Sequence, residues 1–326
     1  MKYLITGITG FLGPHLANRL IEDGHEVYGL VRINNGREHD IRDIVPEKNF
    51  NKIKFVYGDL QNYRSLYMLF KTYTFDGLFH LAGQTHPPTS FTDMIGTWDT
   101  NVMGTVHLIS ILHDLQPDCK FLFCSTVEVY GNTGIDQHKL KETDTLLPAN
   151  PYGASKAAID LFLQERMNNS QMKAVIVRPF CFTGPRRGAK FSISSDALQV
   201  AKMMLGKQDK ILRIGNLDTT RAVTDVRDIA EALVLIMLSD KANGKTYNVC
   251  GGAPLKMRYY TDTLVRLSGL ENVEYKIDQA LWRPIDINYQ DGDATKVTEE
   301  LGWTPKYTID KTLEDLLQYW LRKLKE

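Results

Sequence analysis

A tyrosine and a lysine stand four residues apart in Asn150-Pro151-Tyr152-Gly153-Ala154-Ser155-Lys156. Four residues is about one helical turn, so in a helix both side chains share a face. Asn150 suits the cap of such a helix and Pro151 its first position, which puts Tyr152 in the first turn beside the positive end of the dipole. That field and the Lys156 ammonium both favour phenolate over phenol. They predict a pKa lowered from about 10 toward the range of a general base that takes a proton from an alcohol. An ordinary amphipathic helix can carry the same spacing, so the chemistry depends on what surrounds the pair. Upstream, Lys120-Phe121-Leu122-Phe123-Cys124-Ser125-Thr126-Val127-Glu128 reads as a strand running out into polar residues. Side chains alternate in an extended chain, so Thr126 and Glu128 are expected to point the same way, a hydroxyl and a carboxylate together.

These residues need a frame. Lys2 to Thr6 is a short apolar run that ends in Gly7-Ile8-Thr9-Gly10-Phe11-Leu12-Gly13, followed by helical periodicity to about Asp23. Strand, glycine turn and helix in that order form a cradle for a pyrophosphate, with Thr9, Phe11 and Leu12 beside the three glycines. The second strand, Glu26 to Val31, closes on Arg32 where a free ribose 2′-hydroxyl would call for a carboxylate, and Arg37 follows in the Asn34-Asn35-Gly36 loop. Those cations suit a 2′-phosphate, so NADP is expected in preference to NAD. Ile53 to Tyr57 is the third strand, after which Asp59 and Leu60 flank the adenine end. Gly77 to Leu81 is the fourth, running into Ala82-Gly83-Gln84-Thr85-His86, small residues against which a cofactor can lie. A long helix is expected from about Thr92 to Leu115. Ala174 to Val177 is the sixth strand, closing with Arg178 and Pro179. Regular alternation of this kind predicts an α/β fold, a doubly wound parallel Rossmann-type sheet.

Beyond Pro179 the pattern changes to Gly, Pro and basic residues, with helices near Ser192 to Leu205, Asp225 to Leu238, Met257 to Leu267 and Ile309 to Leu324. The expected division is a dinucleotide-binding domain over 1–179 with 223–250, and a smaller interleaved substrate-binding domain over 180–222 and 251–326. The chain has 326 residues, 43% of them apolar, and a formal net charge of zero. Neutrality argues against nucleic acid or an anionic membrane as a main partner. Cys119, Cys124, Cys181 and Cys250 show no metal or disulfide spacing, and no run is long enough to span a bilayer, so a reducing cytoplasm and no metal are expected.

Over almost its entire length the chain resembles the extended short-chain dehydrogenase/reductase superfamily, through GITGFLG, Asp59, Asn101 in NVMGT, the strand-end Ser-Thr and the Tyr152/Lys156 pair. Within it the chain is similar to the GDP-sugar 4,6-dehydratases such as those acting on GDP-mannose, through STVEVYG, GPRRGAKF at 184–191, GNLDTTR at 215–221 and RPID at 283–286. The resemblance implies that Arg221 and Arg283 grip the diphosphate and that Arg186 and Lys190 line the nucleotide site, with Thr85 and Asp286 also near the substrate. It implies a homodimer or homotetramer. By the same resemblance the activity is a redox-neutral loss of water, with an NADPH-dependent GDP-4-keto-6-deoxysugar reductase as the second reading and a non-enzymatic dinucleotide sensor as the third. The chain departs from the family pattern at Ala189-Lys190, Cys181, Val127 and Asp286, which leaves open the hexose or heptose used.

Overall fold

The computed structural model describes residues 1–33, 36–131, 133, 137–170, 172–282 and 287–325. Seven strands make one parallel sheet: β1 (Lys2–Thr6), β2 (Glu26–Val31), β3 (Lys54–Tyr57), β4 (Gly77–His80), β5 (Lys120–Cys124), β6 (Ala174–Pro179) and β7 (Lys245–Val249), in the order β7-β6-β5-β4-β1-β2-β3. Alternation along each strand sends Tyr3, Ile5, Phe79, Leu122 and Val175 into one core. It sends Leu4, Leu78, Phe121, Phe123 and Ile176 into the other. A sheet buried on both faces needs such near-continuous apolar strands, and helices must cover it on both sides. Helices α1 (Leu12–Glu22) and α6 (Val226–Leu238) pack on the first face, and α2 (Tyr63–Thr72), α3 (Gly104–Leu115) and α4 (Pro151–Asn169) on the second. Strand order reverses between β1 and β4, and in open α/β sheets a ligand crevice forms beyond the carboxyl ends at such a switch point.

A further apolar cluster joins α5 (Ser192–Met204), α7 (Met257–Ser268) and α8 (Ile309–Lys323), with Val200, Leu212, Leu264, Leu313 and Leu316 at its centre. No described helix is long and apolar enough to cross a membrane.

Two local expectations differ from the structure. The stretch expected to be one helix from Thr92 to Leu115 is broken into Met94–Trp98, a π-helical turn at Asp99–Met103, and α3. Asp93 restarts the helix by accepting from Gly96 N at 2.9 Å, and Asn101 in the widened turn faces Gln84 and Ser155. Periodicity cannot reveal such a turn because one added residue barely disturbs the apolar stripe. The fifth strand stops at Cys124, and Val127–Val129 is a single 3₁₀ turn capped by the Thr126 hydroxyl, which accepts from Glu128 N at 3.3 Å. Thr126 and Glu128 are therefore brought together by a tight turn, and strand alternation is not the cause.

Candidate active site

At the switch point a cavity of about 550 Å³ opens beyond β1, β4, β5 and β6. Helix α4 enters it as its sequence dictates. Asn150 Oδ1 accepts from Gly153 N at 2.8 Å, Pro151 takes the first position, and Tyr152 N donates to Ser90 Oγ at 3.0 Å. A methyl group at Gly153 would lie 2.6 Å from Glu128 O, so only glycine lets the helix approach the Val127–Val129 turn this closely. The cap has a second task. Asn150 Nδ2 donates to Glu128 Oε2 at 2.8 Å, so the residue that starts α4 also orients the carboxylate. Thr126, Glu128, Tyr152 and Lys156 thus line one cavity.

Tyr152 and Lys156 are both buried. The phenol pKa is pushed up by loss of solvent, while a hydrogen bond with the Thr126 hydroxyl and the Arg187 cation pull the other way. This corrects the lowered value expected from helix dipole and Lys156: desolvation of a neutral-to-anion equilibrium outweighs them in a closed site. Lys156 is lowered to about 8 by burial, with Cys124 and Asp160 opposing. Its ammonium lies 4.2 Å from the centre of the Phe123 ring, which compensates part of its lost hydration. Behind the pair, Asn101 Nδ2 donates to Ser155 Oγ and to Gln84 O, both at 3.0 Å, and Oδ1 accepts from Gln84 N at 2.8 Å.

Gly7, Thr9, Gly10, Phe11, Leu12 and Gly13 also line this cavity, as do Arg32, Arg37, Asp59 and Leu60, and Leu81, Ala82, Gly83, Thr85 and Pro179. A Cβ at Gly7, where φ is +77°, would lie 2.8 Å from Ala82 N, and one at Gly13 would lie 2.5 Å from Gly7 O. The turn can close only with glycine at both. No side chain caps the first turn of α1. Uncapped amides at a helix start, two arginines and no carboxylate at the end of β2 form a donor set that fits a dinucleotide with its phosphates. Among the described residues, no group of three or more His, Cys, Asp or Glu could hold a metal ion.

The basic residues expected at the substrate are distributed differently. Arg186 is not part of the cavity wall; its guanidinium is bonded to Thr9 O, Gly10 O, Asp40 O and Asp43. Lys190 is exposed and does not line the cavity. Arg221 is buried outside the cavity lining, its Nη1 donating to Thr220 O at 2.8 Å and its carbonyl accepting from Tyr260 Oη at 2.7 Å. Arg283 and Asp286 lie outside the described residues. The cation that does enter is Arg187, over the Phe191 ring at 3.4 Å and near Phe11 and Phe182, which stack with their centres 5.5 Å apart. The Arg-Arg pair is visible in GPRRGAKF, but which of two adjacent loop residues faces inward depends on backbone turns that the sequence does not display.

A doubly wound sheet with a glycine turn after β1 and a buried Tyr/Lys pair beside β5 defines a protein of the extended short-chain dehydrogenase/reductase type. A family model described as GDP-mannose 4,6 dehydratase matches residues 4–316. The chain is 30% identical over 325 residues to the GDP-6-deoxy-D-mannose reductase of Pseudomonas aeruginosa, covering 100% of this chain and 99% of that one. It is also 30% identical over 341 residues to the GDP-mannose 4,6 dehydratase of Homo sapiens, covering 96% and 90%. Among solved structures, RMD from Pseudomonas aeruginosa complexed with NADPH superposes with a TM-score of 0.81 at 28% identity, over 98% of this chain and 99% of that one. The UDP-glucose 4-epimerase of Thermus thermophilus in complex with NAD gives 0.85 at 25%, over 98% and 99%. The chain belongs to the GDP-mannose 4,6-dehydratase family.

Proposed function

We propose that the protein is a GDP-sugar 4,6-dehydratase that converts GDP-mannose or GDP-manno-heptose to the 4-keto-6-deoxy sugar with NADP as its cofactor. The observation that carries this reading is Glu128, a carboxylate held by Asn150 at 2.8 Å in the same cavity as Tyr152 and Thr126. Oxidation or reduction at a carbinol carbon needs only the phenol, the lysine and a hydroxyl; elimination of water needs a further base. Bound dinucleotide supplies reversible hydride storage, so the overall conversion is a redox-neutral loss of one water. Thr126 orients the sugar 4-oxygen and Tyr152 takes its proton. A phenol raised by burial is a strong base once ionised, the Thr126 hydroxyl and Arg187 favour that ionised form, and Lys156 lines the same cavity. The resulting 4-ketone acidifies the neighbouring C5 proton, which Glu128 removes and returns to the departing 6-hydroxyl.

Arg32 and Arg37 at the end of β2 support NADP over NAD, and the NADPH complex of the 28% identical RMD from Pseudomonas aeruginosa agrees with that choice. We assign 1–179 with 223–250 to the dinucleotide and 180–222 with 251–326 to the sugar nucleotide. Arg187 is the cation of the Arg-Arg pair that faces substrate.

The second reading, an NADPH-dependent GDP-4-keto-6-deoxysugar reductase, is favoured by the 30% identical GDP-6-deoxy-D-mannose reductase. Glu128→Gln separates the two. The first half-reaction does not need Glu128, so the variant should still develop reduced-nicotinamide absorbance on substrate addition, while dehydration falls by a factor on the order of 10² to 10⁴. Tyr152→Phe should suppress the oxidation itself. A Glu128→Gln enzyme that dehydrates at the wild-type rate removes Glu128 from the mechanism.

A further inference from the structure

Arg186 sits one residue from the cavity wall and has φ of +76°, a left-handed conformation that a glycine would adopt at no cost and an arginine rarely takes. Its side chain explains why arginine is there. Nε donates to Gly10 O at 2.9 Å, Nη2 to Thr9 O at 3.1 Å, and Nη1 to Asp40 O at 2.6 Å and to the Asp43 carboxylate at 2.5 Å. The pair with Asp43 is nearly sealed from solvent, with side chains 8% and 5% exposed. Around it, His15 Nε2 bonds Pro185 O at 3.0 Å and Tyr319 Oη donates to Asp43 Oδ2 at 3.0 Å.

Two of the three carbonyls that Arg186 grips, Thr9 O and Gly10 O, belong to the glycine turn. The Thr9–Gly10 peptide closes that turn through Gly10 N on Gly7 O at 2.9 Å. In the Gly10–Phe11 peptide the carbonyl and the amide point in opposite directions, as in any trans peptide. With its oxygen on the guanidinium, its N–H is directed away from Arg186, and Gly10 and Phe11 are cavity-lining residues whereas Arg186 is not. A charged donor on a peptide oxygen polarises that peptide and strengthens its N–H as a donor to an anion. Asp40 and Asp43, held by the same guanidinium, belong to the His39–Asp43 turn that follows Arg37.

We propose that Arg186 is a positioning residue of the dinucleotide site, clamping from behind the glycine turn that receives the pyrophosphate and anchoring it to the turn after Arg37. The proposal rests on the dinucleotide reading above. It moves Arg186 from the sugar-nucleotide side, where family resemblance put it, to the cofactor side. The test is binding of NADPH and NADH, followed by fluorescence quenching, and of GDP, followed by calorimetry, to wild type, Arg186→Met and Arg186→Lys. Melting of each apo form is measured alongside.

Both dinucleotides carry the pyrophosphate, so Arg186→Met should weaken NADPH and NADH by the same factor, on the order of tenfold or more, and leave GDP unchanged. Arg186→Lys keeps the charge but not the fork, so it should recover part of that loss. If the methionine variant does not fold, the lysine variant carries the test, and wild-type affinity in it overturns the clamp. Lost GDP binding with intact dinucleotide binding overturns the proposal, as does a loss confined to NADPH. Equal loss of all three ligands with a lowered melting temperature also overturns it, as a merely structural role. A wild type that binds neither dinucleotide removes the cofactor reading itself, whereas normal wild-type binding left unaltered in Arg186→Met removes only the clamp.

Discussion

At the end of β2 the choice between two dinucleotides comes down to Arg32 and Arg37, exposed cations in the cavity wall, Arg37 also pairing with Asp40 at 3.3 Å. Only NADP(H) carries a 2′-phosphate, so Arg32→Ala or Arg37→Ala should weaken NADPH about tenfold and leave NADH nearly unchanged in a binding titration. Equal losses for both would contradict the assignment. Most of the residues that line the cavity were legible because their chemistry depends on type and short spacing: the three glycines, the Tyr152/Lys156 pair and the strand-end Thr126. What escaped was set by environment. The direction of the Tyr152 shift turned on burial, which no local spacing reports, and the inward arginine of the 186/187 pair turned on one left-handed residue.

Helix α5 meets α7 through Asp196, which is buried and whose Oδ2 accepts from Thr261 Oγ1 at 2.7 Å. Burial pushes its carboxyl up to about 7 from an ordinary value of 3.8. The folded state therefore keeps a proton that the unfolded chain has already lost, and stability falls as pH rises from about 3.8 to about 7, then levels off. Asp196→Asn keeps the shape and cannot ionise. Its melting temperature relative to wild type should be higher at pH 8 than at pH 5, and an offset independent of pH would contradict the assignment. Helix and strand positions were legible at this scale wherever periodicity and caps agreed: α4 behind Asn150 and α6 behind Asp225 fall where the sequence predicts. The π turn at Asp99–Met103 and the 3₁₀ turn at Val127–Val129 did not: the first is tied by the long-range hydrogen bond from Asn101 to Ser155, and the second is a single turn capped locally, with Thr126 Oγ1 accepting from Glu128 N, too short to show as periodicity.

At the scale of the whole molecule, two buried histidines add to acid sensitivity. His80 at the end of β4 is held between Thr6 Oγ1 at 2.8 Å and Thr105 Oγ1 at 2.9 Å, and desolvation with Lys156 nearby lowers it from 6.5 to about 3. His15 on α1 is lowered to about 4, again chiefly by burial. Both stay neutral in the fold while the unfolded chain binds protons, so stability should be lost as pH falls below about 6.5 and continue to fall toward about 3. His80→Gln should flatten that acid limb in a melting-temperature series. An unchanged limb would mean that His80 does not titrate on unfolding. The parallel sheet was readable from the strand–helix alternation, since the central strands are apolar on both faces and each turn carries its own punctuation. The sugar is not readable in this way, because it depends on how loop residues converge on the site. The direct test of the dehydratase function is incubation of the purified wild-type protein with GDP-mannose and with GDP-manno-heptose, without added reductant, followed by mass spectrometry of the sugar nucleotide. A dehydratase gives a product lighter by one water, formed with no net change in nicotinamide absorbance. Sugar nucleotides that stay intact, together with NADPH-dependent reduction of a GDP-4-keto-6-deoxysugar, would contradict it.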